Sequence, residues 1–153
     1  MQRPTNAFRR LLLALSLLPA FLPAAAHALD YRSVSVPRAV LYDAPSAKGK
    51  KLFVVSQFYP VEVIVELGEW IKVRDKTGGL AWIESKDLAA KRTVVAVDHA
   101  DVHETADAAS SVVFKVDKDV ALELVEAPAN GWVKVKHRDG LTGYLPANQV
   151  WGI

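Results

Sequence analysis

Trp70 is followed by Lys72 and Arg74, and Trp132 by Lys134 and Lys136; twelve residues beyond each Trp stands a second aromatic, Trp82 or Tyr144. Alternate residues of an extended strand share a face. Trp70, Lys72 and Arg74 therefore point one way and Ile71 and Val73 the other, and Trp132, Lys134 and Lys136 stand opposite Val133 and Val135 in the same way. The aliphatic side is the predicted core. A ring on the charged side is partly wet. Beside cations it suits a carboxylate-bearing chain, by stacking and charge-assisted hydrogen bonds. A second reading stands beside that one: small domains use every large side chain for burial, so the four aromatics could instead seal a core or form an interface.

Other reactive side chains are sparse. His99, His103 and His137 have Asp98, Asp101 and Glu104 nearby. Strand residues four apart share a face but lie about 13 Å apart, too far for one ion, so no metal and no cofactor are expected. With Cys 0 there are no thiolate nucleophiles, disulfides or iron–sulfur ligands. Gly-x-Ser-x-Gly, His-Glu-x-x-His and phosphate-loop motifs are absent from the sequence, and no catalytic residue is predicted. Lys48-Gly49-Lys50-Lys51 reads as a solvated loop, with contact to an anionic polymer as its functional alternative.

The chain has 153 residues, 51% hydrophobic and 24% charged, which excludes a disordered protein. Residues 1–28 read as a secretory leader: Arg3, Arg9 and Arg10, then an apolar run over residues 11–22, then Ala26-His27-Ala28 at the cleavage point. Cleavage is expected after Ala28, giving a periplasmic or secreted chain. An uncleaved anchor is the rival, but residues 11–28 hold two prolines and fall short of the about 20 residues a span needs. A lipid-anchored leader needs a Cys, so no stable membrane anchor is expected. Taking the leader's three Arg from 19 bases leaves 16 against 17 acids, a net charge of −1. Nucleic acid is therefore not an expected partner.

An internal repeat organises the remainder. Trp70-Ile71-Lys72-Val73-Arg74 returns as Trp132-Val133-Lys134-Val135-Lys136 at a shift of 62, with Gly78 matching Gly140 and Leu88 matching Val150. Upstream the shift is 61: Leu52-Phe53-Val54-Val55 answers Val113-Phe114-Lys115-Val116, Tyr42 answers His103, and Val34 and Val36 answer Val95 and Val97. That match makes His103, like Tyr42, a surface strand residue. Two units follow, residues 29–89 and 90–153. Each reads as short strands between turn signals such as Asn130-Gly131 and Asp139-Gly140. A unit of about 60 residues is marginal alone. The connection Leu88-Ala89-Ala90-Lys91 lacks Gly, Pro and Ser, so the units are expected to pack together.

The ordered set of residues resembles the bacterial SH3 (SH3b) domain, twice. Unit two carries it in Asn130-Gly131-Trp132-Val133-Lys134-Val135 and Thr142-Gly143-Tyr144-Leu145; unit one has Glu69-Trp70-Ile71-Lys72-Val73 and Ala81-Trp82-Ile83. Ala39-Val40-Leu41-Tyr42-Asp43 and Gly143-Tyr144-Leu145-Pro146 also resemble the opening and closing motifs of eukaryotic SH3 domains. Ala44 and Gln149 replace their second Tyr, and Glu84 stands where unit two has Pro146, so a polyproline groove is incomplete in both units. The resemblance implies an all-β chain of two tandem SH3-like small β-barrels packed together. It implies a non-enzymatic binding protein of the cell envelope, since wall hydrolases with SH3b domains carry a separate catalytic domain. The implied partner is a peptide of cell-wall peptidoglycan or an envelope protein. A structural or regulatory subunit of a periplasmic complex is the alternative. The ligand-side residues it implies are Trp132, Tyr144, Pro146 and Lys134, with Trp70, Trp82 and Tyr42 in unit one, and unit two is the expected site.

Overall fold

In the computed structural model, which describes residues 29–153, runs of Val, Ile, Leu and aromatic residues pair as short antiparallel strands. The predicted leader lies outside the described residues. Unit one holds β1 (Tyr31–Val34), β2 (Arg38–Tyr42), β3 (Lys51–Ser56), β4 (Pro60–Leu67), β5 (Trp70–Arg74), β6 (Leu80–Glu84) and β7 (Leu88–Ala89). Unit two holds β8 (Thr93–Ala96), β9 (Ala100–His103), β10 (Val112–Val116), β11 (Ala121–Ala129), β12 (Trp132–Lys136), β13 (Thr142–Pro146) and β14 (Val150–Trp151). One 3-10 turn, Ser85–Asp87 or Ala147–Gln149, precedes the last strand of each. The strand orders are the same, β3-β2-β6-β5-β4-β1-β7 and β10-β9-β13-β12-β11-β8-β14. In both, the short last strand returns to the first, Val34 facing Leu88 and Ala96 facing Val150, so each sheet curls round its own core. The all-β tandem read from the sequence is therefore the architecture observed.

Each core is apolar and separate. Val34, Leu41, Val61, Ile71, Val73 and Ile83 fill the first; Val94, Val102, Leu122, Val133, Val135 and Leu145 fill the second, all at 1% exposure or less. Alternation holds as expected: Ile71 and Val73 are buried while Trp70 and Lys72 are half-buried and Arg74 is exposed.

The repeat register needs one correction. Phe58 and Asp119, a shift of 61, donate to Val34 and Ala96, a shift of 62. Val34 thus corresponds to Ala96, not to Val95, and the shorter loop after β8 absorbs the difference. Thr93–Ala96 is buried at all four positions, so it has no alternation to fix its register from sequence.

The units meet through a three-residue connection, 90–92, between β7 and β8. Trp151 sits edge-on to Tyr31, ring centres 5.3 Å apart, and 6.5 Å from Tyr59. Arg92 lies over Tyr31 at 5.4 Å and donates to the Gly152 carbonyl at 3.0 Å. The buried hydroxyls of Ser33 and Thr93 donate to the carbonyls of Lys91 and Phe58, both at 2.7 Å. Lys76 pairs with Asp119 across the same junction. Burial raises the pKa values of Tyr31 and Tyr59. The expected packing of the units is present, and it uses aromatics other than Trp70, Trp82, Trp132 and Tyr144.

Candidate functional site

The Asn130-Gly131 turn sets the position of Trp132. Both residues have positive φ, 51° and 80°, the pair a type I′ hairpin turn requires. It joins β11 to β12 with Ala129 facing Trp132. The 3-10 turn after β13 is tied to it, Ala147 N–H donating to the Gly131 carbonyl at 2.8 Å. Trp132 then faces Pro146, Lys134 faces Tyr144, and Tyr144 faces His103 on β9. The five side chains form one patch on the outer face of β9, β12 and β13. The His103 ring stands edge-on to Trp132 at 6.0 Å, with Nδ1 3.0 Å from the Ser110 carbonyl. The Lys134 ammonium lies 5.6 Å over the Tyr144 ring.

Trp132 forms a ridge between two depressions. One, of about 450 Å³, is lined by His99, His103, Lys115, Pro146 and Gln149. The other, of about 240 Å³, is lined by Glu126, Asn130, Lys134 and Tyr144. An extended chain crossing the ridge would touch both.

Unit one repeats the layout with other residues. Trp70 faces Glu84, Lys72 faces Trp82, and Trp82 faces Tyr42. Lys72 lies 5.9 Å over Trp82, and Tyr42 stands edge-on to Trp70 at 5.4 Å. A depression of about 470 Å³ beside Trp70 is lined by Pro45, Glu69, Glu84 and Lys86, an acidic counterpart of the Pro146 side in unit two. Tyr42 differs from expectation: it is 8% exposed, buried against Trp70, rather than a surface residue. It buttresses the Trp rather than presenting itself.

The charges differ from the simple picture of free cations beside a ring. Lys134 donates to Glu126 at 2.6 Å, and this hydrogen bond raises its pKa. Lys136 reaches Glu123 at 3.3 Å. The patch is an aromatic surface with neutralised charge, suited to a peptide more than to a polyanion. Lys48, Lys50 and Lys51 are exposed, and the loop backbone is held by Lys50 N–H donating to Asp43 at 2.8 Å. The histidines do not converge. His99 meets Asp117 at 3.0 Å and His137 meets Asp139 at 2.9 Å, and among the described residues no three acidic or imidazole groups surround one point.

Two repeats, one strand order and a Trp at the same place in both units point to one small family. The bacterial SH3 domain family matches twice, over residues 35–89 and 96–152. This chain belongs to that family. No match to a curated protein was found. Among solved structures the chain is similar to NlpC2 from Trichomonas vaginalis, at 14% identity and a TM-score of 0.38, covering 81% of this chain and 48% of that one. It is similar to NlpC1 from the same organism at 13% identity and a TM-score of 0.38, over 83% and 47%. An NlpC/P60 family protein from Bacillus cereus matches at 15% identity and a TM-score of 0.38, over 79% and 55%. The SH3 chain thus spans about half the length of each of these.

His103 is the site residue that the sequence reading left outside the patch. Its signal was present: it takes the place of Tyr42 at a shift of 61, and Tyr42 also stands against a Trp.

Proposed function

We propose that this chain is a non-enzymatic, exported binding protein of the bacterial cell envelope. In this reading it holds peptides of peptidoglycan, or a segment of an envelope protein, across Trp132. The Trp132 ridge between two depressions carries the reading. Family membership supports it, because bacterial SH3 domains are binding modules associated with the cell wall. The neutralised charge favours a peptide with its backbone across Pro146 and Trp132. Unit one, with Glu84 in place of Pro146, is the weaker of the two faces.

Purified protein should co-sediment with isolated sacculi, and Trp132→Ala should weaken that binding by about 2 kcal/mol, as aromatic hot spots do. Failure to sediment, together with capture of one defined envelope protein, would replace wall binding by the subunit reading. Export has its own measurement. Mass spectrometry of protein from the periplasm or medium should give an N-terminus at Leu29 or within a few residues, and an intact Met1 in the membrane fraction would overturn it.

A further inference from the structure

The junction between the units holds a cleft of about 520 Å³ that neither unit could form alone. Phe58 comes from unit one, Lys91 from the connection, and Thr93, Glu123, Lys136 and Arg138 from unit two.

Phe58 is the unexpected member. Its φ is 69°, in the left-handed region that a bulky residue rarely enters. The corresponding residue of unit two, Asp119, has the same φ of 69°, and Asp accepts it at lower cost. The local backbone therefore favours Asp or Asn, yet unit one has an aromatic there. The ring is 38% exposed and belongs to neither core. Its backbone is fixed on both sides: Phe58 N–H donates to Val34 at 2.8 Å, and the Thr93 hydroxyl donates to the Phe58 carbonyl at 2.7 Å. A strained residue held this firmly, with its side chain turned to solvent, suits a contact surface.

The wall beside the ring is cationic. The Lys91 ammonium lies 5.2 Å from the Phe58 ring centre. Lys91 and Lys136 share one carboxylate, Glu123, at 3.0 and 3.3 Å. Asp139 is engaged by His137 at 2.9 Å. Arg138 makes no side-chain hydrogen bond or ion pair among the described residues. Positive charge is therefore in excess next to an exposed apolar ring.

We propose that this cleft is a second binding site, taking a short peptide end whose apolar side chain lies on Phe58 and whose free carboxylate meets Lys91, Lys136 and Arg138. The site is independent of the Trp132 ridge. Its test is a titration of the amide resonances of isotope-labelled protein with N-acetyl-leucyl-alanine and with the C-terminal amide of the same dipeptide. The free acid should give saturable shifts at Phe58, Lys91, Thr93 and Gly140, and the amide should bind at least about tenfold more weakly. Phe58→Asn should lose about tenfold in affinity at an unchanged or raised melting temperature, since Asn suits the backbone. Arg138→Gln, at an exposed position, should weaken the acid alone and gives a readout if Phe58→Asn folds poorly. Trp132→Ala should leave these shifts intact, which separates this site from the other. Equal binding of acid and amide, no saturable shift at millimolar probe, or unchanged affinity in both Phe58→Asn and Arg138→Gln would overturn the proposal.

Discussion

Trp132 and Val135 lie on one strand, yet they should fail in different ways. Val135 is fully buried in the second core, whereas Trp132 is half-buried on the outer patch. Val135→Ala should cost about 1–3 kcal/mol of stability from lost methyl burial and the cavity left behind. Trp132→Ala should cost the fold much less while weakening the ligand. Paired urea melts and binding curves measure both; a Trp132→Ala variant as unstable as Val135→Ala would make Trp132 a structural plug. Glu62 offers a sharper residue-scale test. It is 7% exposed and accepts two hydrogen bonds from Arg74, at 3.0 and 2.9 Å. Arg74→Met strands that carboxylate and should cost on the order of 2 kcal/mol, the exposure of Arg74 holding the loss below that of a fully buried pair. The double variant Glu62→Leu/Arg74→Met should recover most of it in the same melts; no recovery would refute the pairing argument. Alternation places Arg74 on the charged face of β5 but does not name its partner, because Glu62 follows Pro60 and Val61 in a β4 run buried at all three positions.

At the scale of elements, what the sequence displays is alternation, and what it hides is any strand covered on both sides. β5 and β12 alternate and were readable residue by residue. β8 is buried throughout, between the second core and the junction, and its register lies one residue from the one the repeat spacing predicts. The aromatic patches are readable for the same reason as β5 and β12; their charge is not, because Glu126, directly opposite Lys134, lies between two register shifts of β11 that the spacing does not show. Long side chains choose partners in three dimensions. Glu123 makes the same point with a pH dependence. Lys91 and, after it, Lys136 hold its carboxylate below the usual range. A lowered pKa contributes stability that is present above the ordinary carboxylate value and is lost as pH falls through the folded value. Glu123→Gln should therefore narrow the gap in melting temperature between pH 7 and pH 3. Parallel acid limbs for the two proteins would show that Glu123 contributes nothing to it.

At the scale of the whole molecule, the repeat explains what the units share, and its breaks mark where they meet. Tyr31 answers Thr93, Phe58 answers Asp119, Tyr59 answers Val120, and Ala89 answers Trp151 once the register is set by the hydrogen bonds. Every one of these mismatched pairs has a member at the junction. Two equivalent barrels need the same core, but a head-to-tail contact uses different surfaces of each, so the interface appears in the sequence as lost symmetry. A unit of this size buries only about 60% of its unfolded surface and is marginal alone. The junction should therefore couple the two. Trp151 is its centre, set against Tyr31 and Tyr59 and on the strand that closes the second sheet. Gly152 beside it has φ 115°, and a Cβ there would lie 2.9 Å from the Thr93 carbonyl and 3.1 Å from Pro60, so the contact leaves no room for rearrangement. Calorimetry of the parent protein should show one cooperative transition. Trp151→Ala removes the shared ring and should cost about 2–3 kcal/mol, less than a fully buried Trp because Trp151 keeps some solvent contact. With coupling weakened, the two cores should melt separately, giving two transitions whose combined enthalpy is near that of the parent. A single transition at the parent's melting temperature would mean that the Trp151 ring neither stabilises the junction nor couples the two units.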